Sequence, residues 1–112
     1  MKVIELAAAL DLEIINMSGG DTTVKNGYTC DLLSWVIGRA EPGSAFITIM
    51  ANMNTIAVGM LADSSCIIFC EGVEIDDNMK QKAVGEGVNI LRTSKNTFEI
   101  SAMIYNKLNE RQ

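Results

Sequence analysis

Three short apolar runs, Ala45-Phe46-Ile47-Thr48-Ile49-Met50, Cys66-Ile67-Ile68-Phe69-Cys70 and Val88-Asn89-Ile90-Leu91, decide the reading of this chain. Each is continuous rather than alternating in hydropathy and rich in β-branched or aromatic residues, the mark of a strand covered on both faces. Each is followed by helical spacing. After the first run, Ile56, Ala57, Met60 and Leu61 form an apolar stripe that ends near Asp63-Ser64. After the second, Asp76 or Asp77 can cap a helix through Met79, Ala83 and Val84 that stops at Gly85-Glu86-Gly87. After the third, Phe98, Ala102, Tyr105 and Leu108 share one helical face, joined by Met103 and Ile104. Strands near 45–50, 66–70 and 88–91, each leading into a helix, imply parallel strands joined by right-handed crossovers.

Outward from this region the pattern is less regular. Val3 to Leu10 suits a short helix that ends before Asp11, and Leu12 to Ile15 alternates weakly, as an edge strand does. Ser18-Gly19-Gly20-Asp21 reads as a loop and Asn26-Gly27 as a turn, because both residues of that pair tolerate positive φ. Tyr28-Thr29-Cys30 then leads to Asp31, placed to cap a helix over Leu32 to Ile37 before Gly38. No Pro/Gly/Ser-rich linker divides the chain. The expectation is a single layered α/β domain over residues 1–112. Its mainly parallel sheet is built from three consecutive βα units, with an N-terminal helix and irregular strands added.

Composition removes several functions. The 112 residues contain no histidine, so there is no imidazole base, no Ser-His or Cys-His pair and no His-ligated metal. Nine basic residues against 14 acidic ones give a net charge of −5, which argues against a nucleic-acid partner. The start carries no apolar run leading to a cleavage site. The uncharged stretch from Ala45 to Ala62 is broken by Thr48, Asn52, Asn54 and Thr55, unlike a lipid-spanning helix. A cytoplasmic protein without a membrane partner is expected. Cys30, Cys66 and Cys70 lack a C-x-x-C pair and read as core thiols, so no metal or cofactor is expected.

Asp21-Thr22-Thr23-Val24-Lys25-Asn26-Gly27-Tyr28, followed by Asp31-Leu32-Leu33-Ser34, has a familiar layout. With Ala45-Phe46-Ile47-Thr48-Ile49 and Leu91-Arg92-Thr93, it resembles a small stand-alone DRTGG-domain protein, from the first helix to about Leu108. That family is similar to the N-terminal domain of HPr kinase/phosphorylase. It also occurs beside CBS domains in regulated pyrophosphatases and in phosphotransacetylases. The resemblance implies a non-catalytic α/β regulatory module that forms a homodimer and binds a small ligand, an adenine nucleotide in one known context, or a partner protein. Asp21, Val24 and Gly27 fit the family loop, with Asp31 and Ser34 beyond it. Thr22 replaces the loop's arginine and Asn26 its first glycine, which removes a bidentate phosphate contact. The chain has no G-x-x-x-x-G-K-[ST] sequence, so kinase chemistry does not carry over.

Ligands of open parallel sheets gather outside the carboxyl ends of the strands. That edge would hold Asn52, Asn54 and Thr55, then Glu71 and Gly72, then Arg92, Thr93 and Ser94. The amides and hydroxyls suit an amide, ribose or base edge, and Arg92 suits an anion. Asn54 or Thr55, and Thr93 or Ser94, also read as helix caps. Asp31 and Ser34 read as a cap and its first-turn partner, since nothing is available to activate the hydroxyl. Met50, Met53, Met60 and Met103 read as adaptable core, whereas exposure of Met53 and Trp35 would mark a partner surface. The alternative function is a protein-interaction subunit of a redox or signalling enzyme complex.

Overall fold

In the computed structural model, which describes residues 1–110, ten elements follow one another. They are α1 (Val3–Leu10), β1 (Glu13–Asn16), β2 (Asn26–Thr29), α2 (Leu33–Val36), β3 (Ser44–Thr48), α3 (Met53–Leu61), β4 (Cys66–Phe69), α4 (Asp77–Glu86), β5 (Ile90–Arg92) and α5 (Thr97–Leu108). The five strands form one sheet in the order β1-β5-β4-β3-β2. β2, β3, β4 and β5 are mutually parallel, in register Tyr28–Phe46–Ile67–Ile90, and β1 runs antiparallel along β5 with Glu13 opposite Arg92. The three expected βα units are present, and their strands lie next to one another in sequence order.

Alternation along the strands fills both faces. Ala45, Ile47, Cys66, Ile68, Cys70 and Leu91 join Val3, Leu6 and Leu10 of α1 and Ile100 and Ile104 of α5 in one core. Phe46, Ile67, Phe69 and Ile90 join Val36, Ile56, Met79 and Ala83 of α2, α3 and α4 in the other. Placing α2, α3 and α4 on one face is what crossovers of a single hand produce. Gly59 lets α3 lie close on β4, because a Cβ there would overlap the Ile67 side chain.

Several local expectations need correction. Asn26-Gly27 is not a turn but the start of β2; pairing with Ser44-Ala45 holds it extended, and Gly27 is absent from the positive-φ glycines. α2 is one turn, Leu33–Val36, and its N-cap Leu32 makes no side-chain cap. On α5, Ile100 and Ile104 face the sheet, while Phe98 and Tyr105 are 80% and 70% exposed. The helix is apolar on more than one face, and the branched isoleucines are the ones that fit the pleated surface. On α3, Thr55, Ile56, Val58 and Gly59 are buried, and Met60 and Leu61 face outward, because the close approach at Gly59 fixes the helix rotation. Met50 and Met53 are also outward rather than core. α4 starts at an Asp76 cap on the Met79 N–H and ends at Gly87 with φ 67, as its sequence indicates, with Val84 exposed.

Candidate functional site

The loop that carries the family-like residues crosses the amino edge of the sheet. Asn89, just before β5 and only 2% exposed, holds it: its Oδ1 accepts from Gly19 N–H at 2.9 Å, and its amide donates to Gly20 O at 2.7 Å and Ser65 O at 3.0 Å. The Thr22 hydroxyl also donates to Ser65 O, at 3.2 Å. Asp21 Oδ1 accepts from Ile4 N–H at 2.9 Å, so Asp21 caps α1 from a distance, where Lys2 supplies no side-chain cap. Val24 is buried in the core beside α1. Asn89 was missed in the sequence because it sits inside an apolar run; a lone amide in such a run is the signal that could have found it.

The carboxyl edge is built from separate local turns. Asp31 Oδ1 accepts from Thr48 Oγ1 at 2.8 Å and from Ile49 N–H at 3.0 Å, so it ties the end of β2 to the end of β3 instead of capping α2. Ser34 lies within the single turn of α2 and does not join it. Asn52, rather than Asn54 or Thr55, caps α3 by accepting from Thr55 N–H at 3.0 Å, and the Thr55 hydroxyl donates to Met50 O. Asn96, rather than Thr93 or Ser94, caps α5 in a reciprocal box with Glu99. Glu71 and Gly72, both at φ 64, turn the chain so that their N–H groups donate to Lys95 O and Thr93 O, each at 2.9 Å. Arg92 donates to Gly72 O at 3.2 Å. Of the expected ligand residues, Gly72, Arg92, Thr93 and Ser94 meet in a hollow of about 280 Å³ with Asp11, Glu13 and Lys95. Asn52, with Asn54 and Thr55 in the first turn of α3, follows β3, two strands from β5.

A larger concavity, about 450 Å³, lies between the open edge of β2 and α5. Lys25, Gly27, Thr29, Ile47, Tyr105 and Leu108 are among its lining residues. None of the expected ligand residues reaches it; of the family-loop stretch, Lys25, Asn26 and Gly27 do. Burial pushes the Cys66 thiol up to about 12. It does the same to Cys70, with the nearby Glu71 and Asp31 carboxylates adding to the effect. Both thiols therefore stay protonated and unreactive at neutral pH. Among the described residues no group of three or more His, Cys, Asp or Glu side chains is placed to hold a metal. Among the described residues, no helix is long and apolar enough to cross a membrane.

A family model for the DRTGG domain matches residues 5–107. Among curated proteins, HPr kinase/phosphorylase of Lachnoclostridium phytofermentans is 44% identical over 39 residues, which cover 35% of this chain and 13% of that protein. Among solved structures, the CBS and DRTGG domains of the regulatory region of Clostridium perfringens pyrophosphatase, complexed with the activator diadenosine tetraphosphate, match with a TM-score of 0.72. The identity there is 14%, and the match covers 91% of this chain and 45% of that one, so the likeness is one of fold. The match spans less than half the length of either relative.

Proposed function

Because this chain belongs to the DRTGG domain family, we propose that it is a non-catalytic regulatory module. In this reading it is a homodimer that binds an adenine nucleotide and passes the bound state to a partner protein. The observation that carries it is the fold shared over 91% of the chain with a regulatory region solved with diadenosine tetraphosphate. The chemistry supports the non-catalytic part. There is no histidine, and the Asp31 carboxylate is engaged by Thr48 and Ile49, away from Ser34 on its one-turn helix.

Asn52, Asn54, Thr55, Glu71, Gly72, Arg92, Thr93 and Ser94 form, in this reading, a polar rim open to a small ligand or the regulated partner, with Thr55 and Thr93 buried behind its exposed members. Ile49, Met50 and Met53 are exposed beside Asn52, and adaptable methionines suit a protein contact. The test is thermal unfolding with AMP, ADP, ATP and diadenosine nucleotides. A ligand at 100 times its Kd stabilises by about 2.7 kcal/mol, several degrees for a domain this small. No shift with any of them at millimolar concentration overturns the nucleotide part. A mass measurement in solution that finds only a 12.2 kDa species overturns the dimer.

The second reading, an accessory interaction subunit of a redox or signalling complex, is favoured by one surface. Leu32, Trp35 and Ile37 are 54%, 50% and 47% exposed around α2, and Arg39 stacks on the Trp35 ring at 4.0 Å. Under that reading no nucleotide binds, and Trp35→Glu abolishes capture of the partner.

A further inference from the structure

β2 is the last strand of the sheet, and among the described residues only β3 pairs with it. Cys30 N–H donates to Ile47 O at 3.2 Å. By the alternation of a strand, the N–H and C=O of Thr29, and of Gly27 two residues earlier, turn to the open side. One residue thereby presents a donor beside an acceptor along the groove against α5. Adenine carries the complementary pair, a ring-nitrogen acceptor next to an amino donor. Ile47 and Leu108 give the groove apolar wall, and Tyr105, 70% exposed, offers a ring for stacking. At about 450 Å³ it falls within the roughly 300–1,000 Å³ of small-molecule sites.

Charge separates this groove from the rim hollow. The rim hollow sets Arg92 and Lys95 against Asp11 and Glu13, a neutral balance. Among the described residues the groove has Lys25 as its one charged lining residue, in a chain of net charge −5, and Lys25 joins neither of the ion pairs there. Gly27 keeps the floor low: a Cβ there would meet Ile104 Cγ2 at 3.7 Å and Ile47 Cδ1 at 3.8 Å. Those are ordinary contacts, so alanine fits the fold while filling part of the groove.

We propose that the groove between β2 and α5 is a purine-nucleotide site, with the base on the main-chain edge of Gly27 and Thr29 and a phosphate at Lys25. This rests on the reading of the chain as a nucleotide-binding module and assigns that ligand a place away from the rim. The experiment is calorimetric titration of AMP, ADP and ATP into the whole chain and into Lys25→Met, Gly27→Ala and Arg92→Gln. Amide shifts of the wild type are recorded alongside by NMR. Methionine at position 25 preserves the aliphatic packing of Lys25 on Gly43. The expected result is a loss of about tenfold or more for Lys25→Met, from one charge-assisted contact. Gly27→Ala should also bind more weakly, Arg92→Gln should bind as the wild type does, and the largest shifts should fall on Gly27 and Thr29. If nucleotide binds but Lys25→Met and Gly27→Ala bind it unchanged, or the shifts cluster at Arg92 to Lys95, the groove assignment falls while the regulatory reading stands. If the wild type binds none of the three, the nucleotide reading falls and takes the groove with it. The NMR shifts decide the question even if a variant fails to fold.

Discussion

At the amino edge of the sheet one loop crosses three strands and is held by contacts between residues far apart in sequence, Asn89 with Gly19, Gly20 and Ser65, and Asp21 with Ile4. At the carboxyl edge the β3–α3 turn is closed by the local Asn52–Thr55 bond, and neighbouring loops are zipped by main-chain bonds such as Gly72 to Thr93. The first arrangement concentrates its stability in a few long-range side-chain contacts, with one buried amide, Asn89, at their centre. The second spreads it over caps and main-chain bonds that back one another up. Asp21 and Val24 of the loop are thus placed to hold α1 and the amino edge together, and only the end of the stretch, Lys25 to Gly27, reaches the groove beside α5. The contrast also makes unequal predictions for the two edges.

The largest effect tests what the edges share. Cys66 opens β4 and Cys70 follows its last residue, and burial is the main cause that pushes both thiols from 9.0 to about 12. For an acid whose folded pKa is raised, the unfolded chain releases its proton first, so stability is complete below pH 9 and falls as pH rises from 9 to 12. For the fully buried Cys66 the limit is about 4 kcal/mol, and Cys70 contributes less because solvent screens part of its shift. Urea unfolding from pH 8 to 11 should show this decline, and Cys66→Ala should make it shallower. An unchanged slope in that variant would mean that the Cys66 end of β4 is open to solvent.

Next in size is Asn89→Ala. It leaves Gly19 N–H and Gly20 O without their buried partner, each worth about 1–3 kcal/mol, so a loss of about 3 kcal/mol in unfolding free energy, read from denaturant titration, is expected. Amide exchange should quicken over residues 18–23 and stay slow at the carboxyl edge. Asp21→Ala should cost about 1 kcal/mol, the worth of a helix cap, with fraying confined to the start of α1. If the exchange in either variant spreads evenly over both edges, the edges are not independent.

The difference between the edges also explains how far the sequence could be read. The parallel pairing and the helices after β3, β4 and β5 follow from the runs at Ala45, Cys66 and Ile90 because those apolar runs are local and continuous. Asp76 and Gly87 were legible as caps since their partners lie within a few residues. Asp31, Asn89 and Asp21 were not, because their partners are 17 to 70 residues away and no local spacing encodes them. Asn26-Gly27 misled for the same reason: the permissive pair favours a turn on its own, and strand pairing with Ser44-Ala45 overrides it. The groove beside β2 was invisible in one dimension, as it joins Lys25 to residues of α5 near the end of the chain.

The smallest effect is the sharpest test of the carboxyl edge. Arg92 reaches Gly72 O at 3.2 Å and joins β5 to the loop after β4, which by itself suggests a clamp like Asn89. Two main-chain bonds already hold that loop, however: Gly72 N–H to Thr93 O and Glu71 N–H to Lys95 O, both at 2.9 Å. The guanidinium is also only partly buried, so water replaces the lost partner when it is removed. Arg92→Gln should therefore change stability by less than about 0.5 kcal/mol, against roughly six times that for Asn89→Ala. A cost of about 2 kcal/mol or more would show that Arg92 closes the carboxyl edge as Asn89 closes the other, and the proposed redundancy of its main-chain bonds would be wrong.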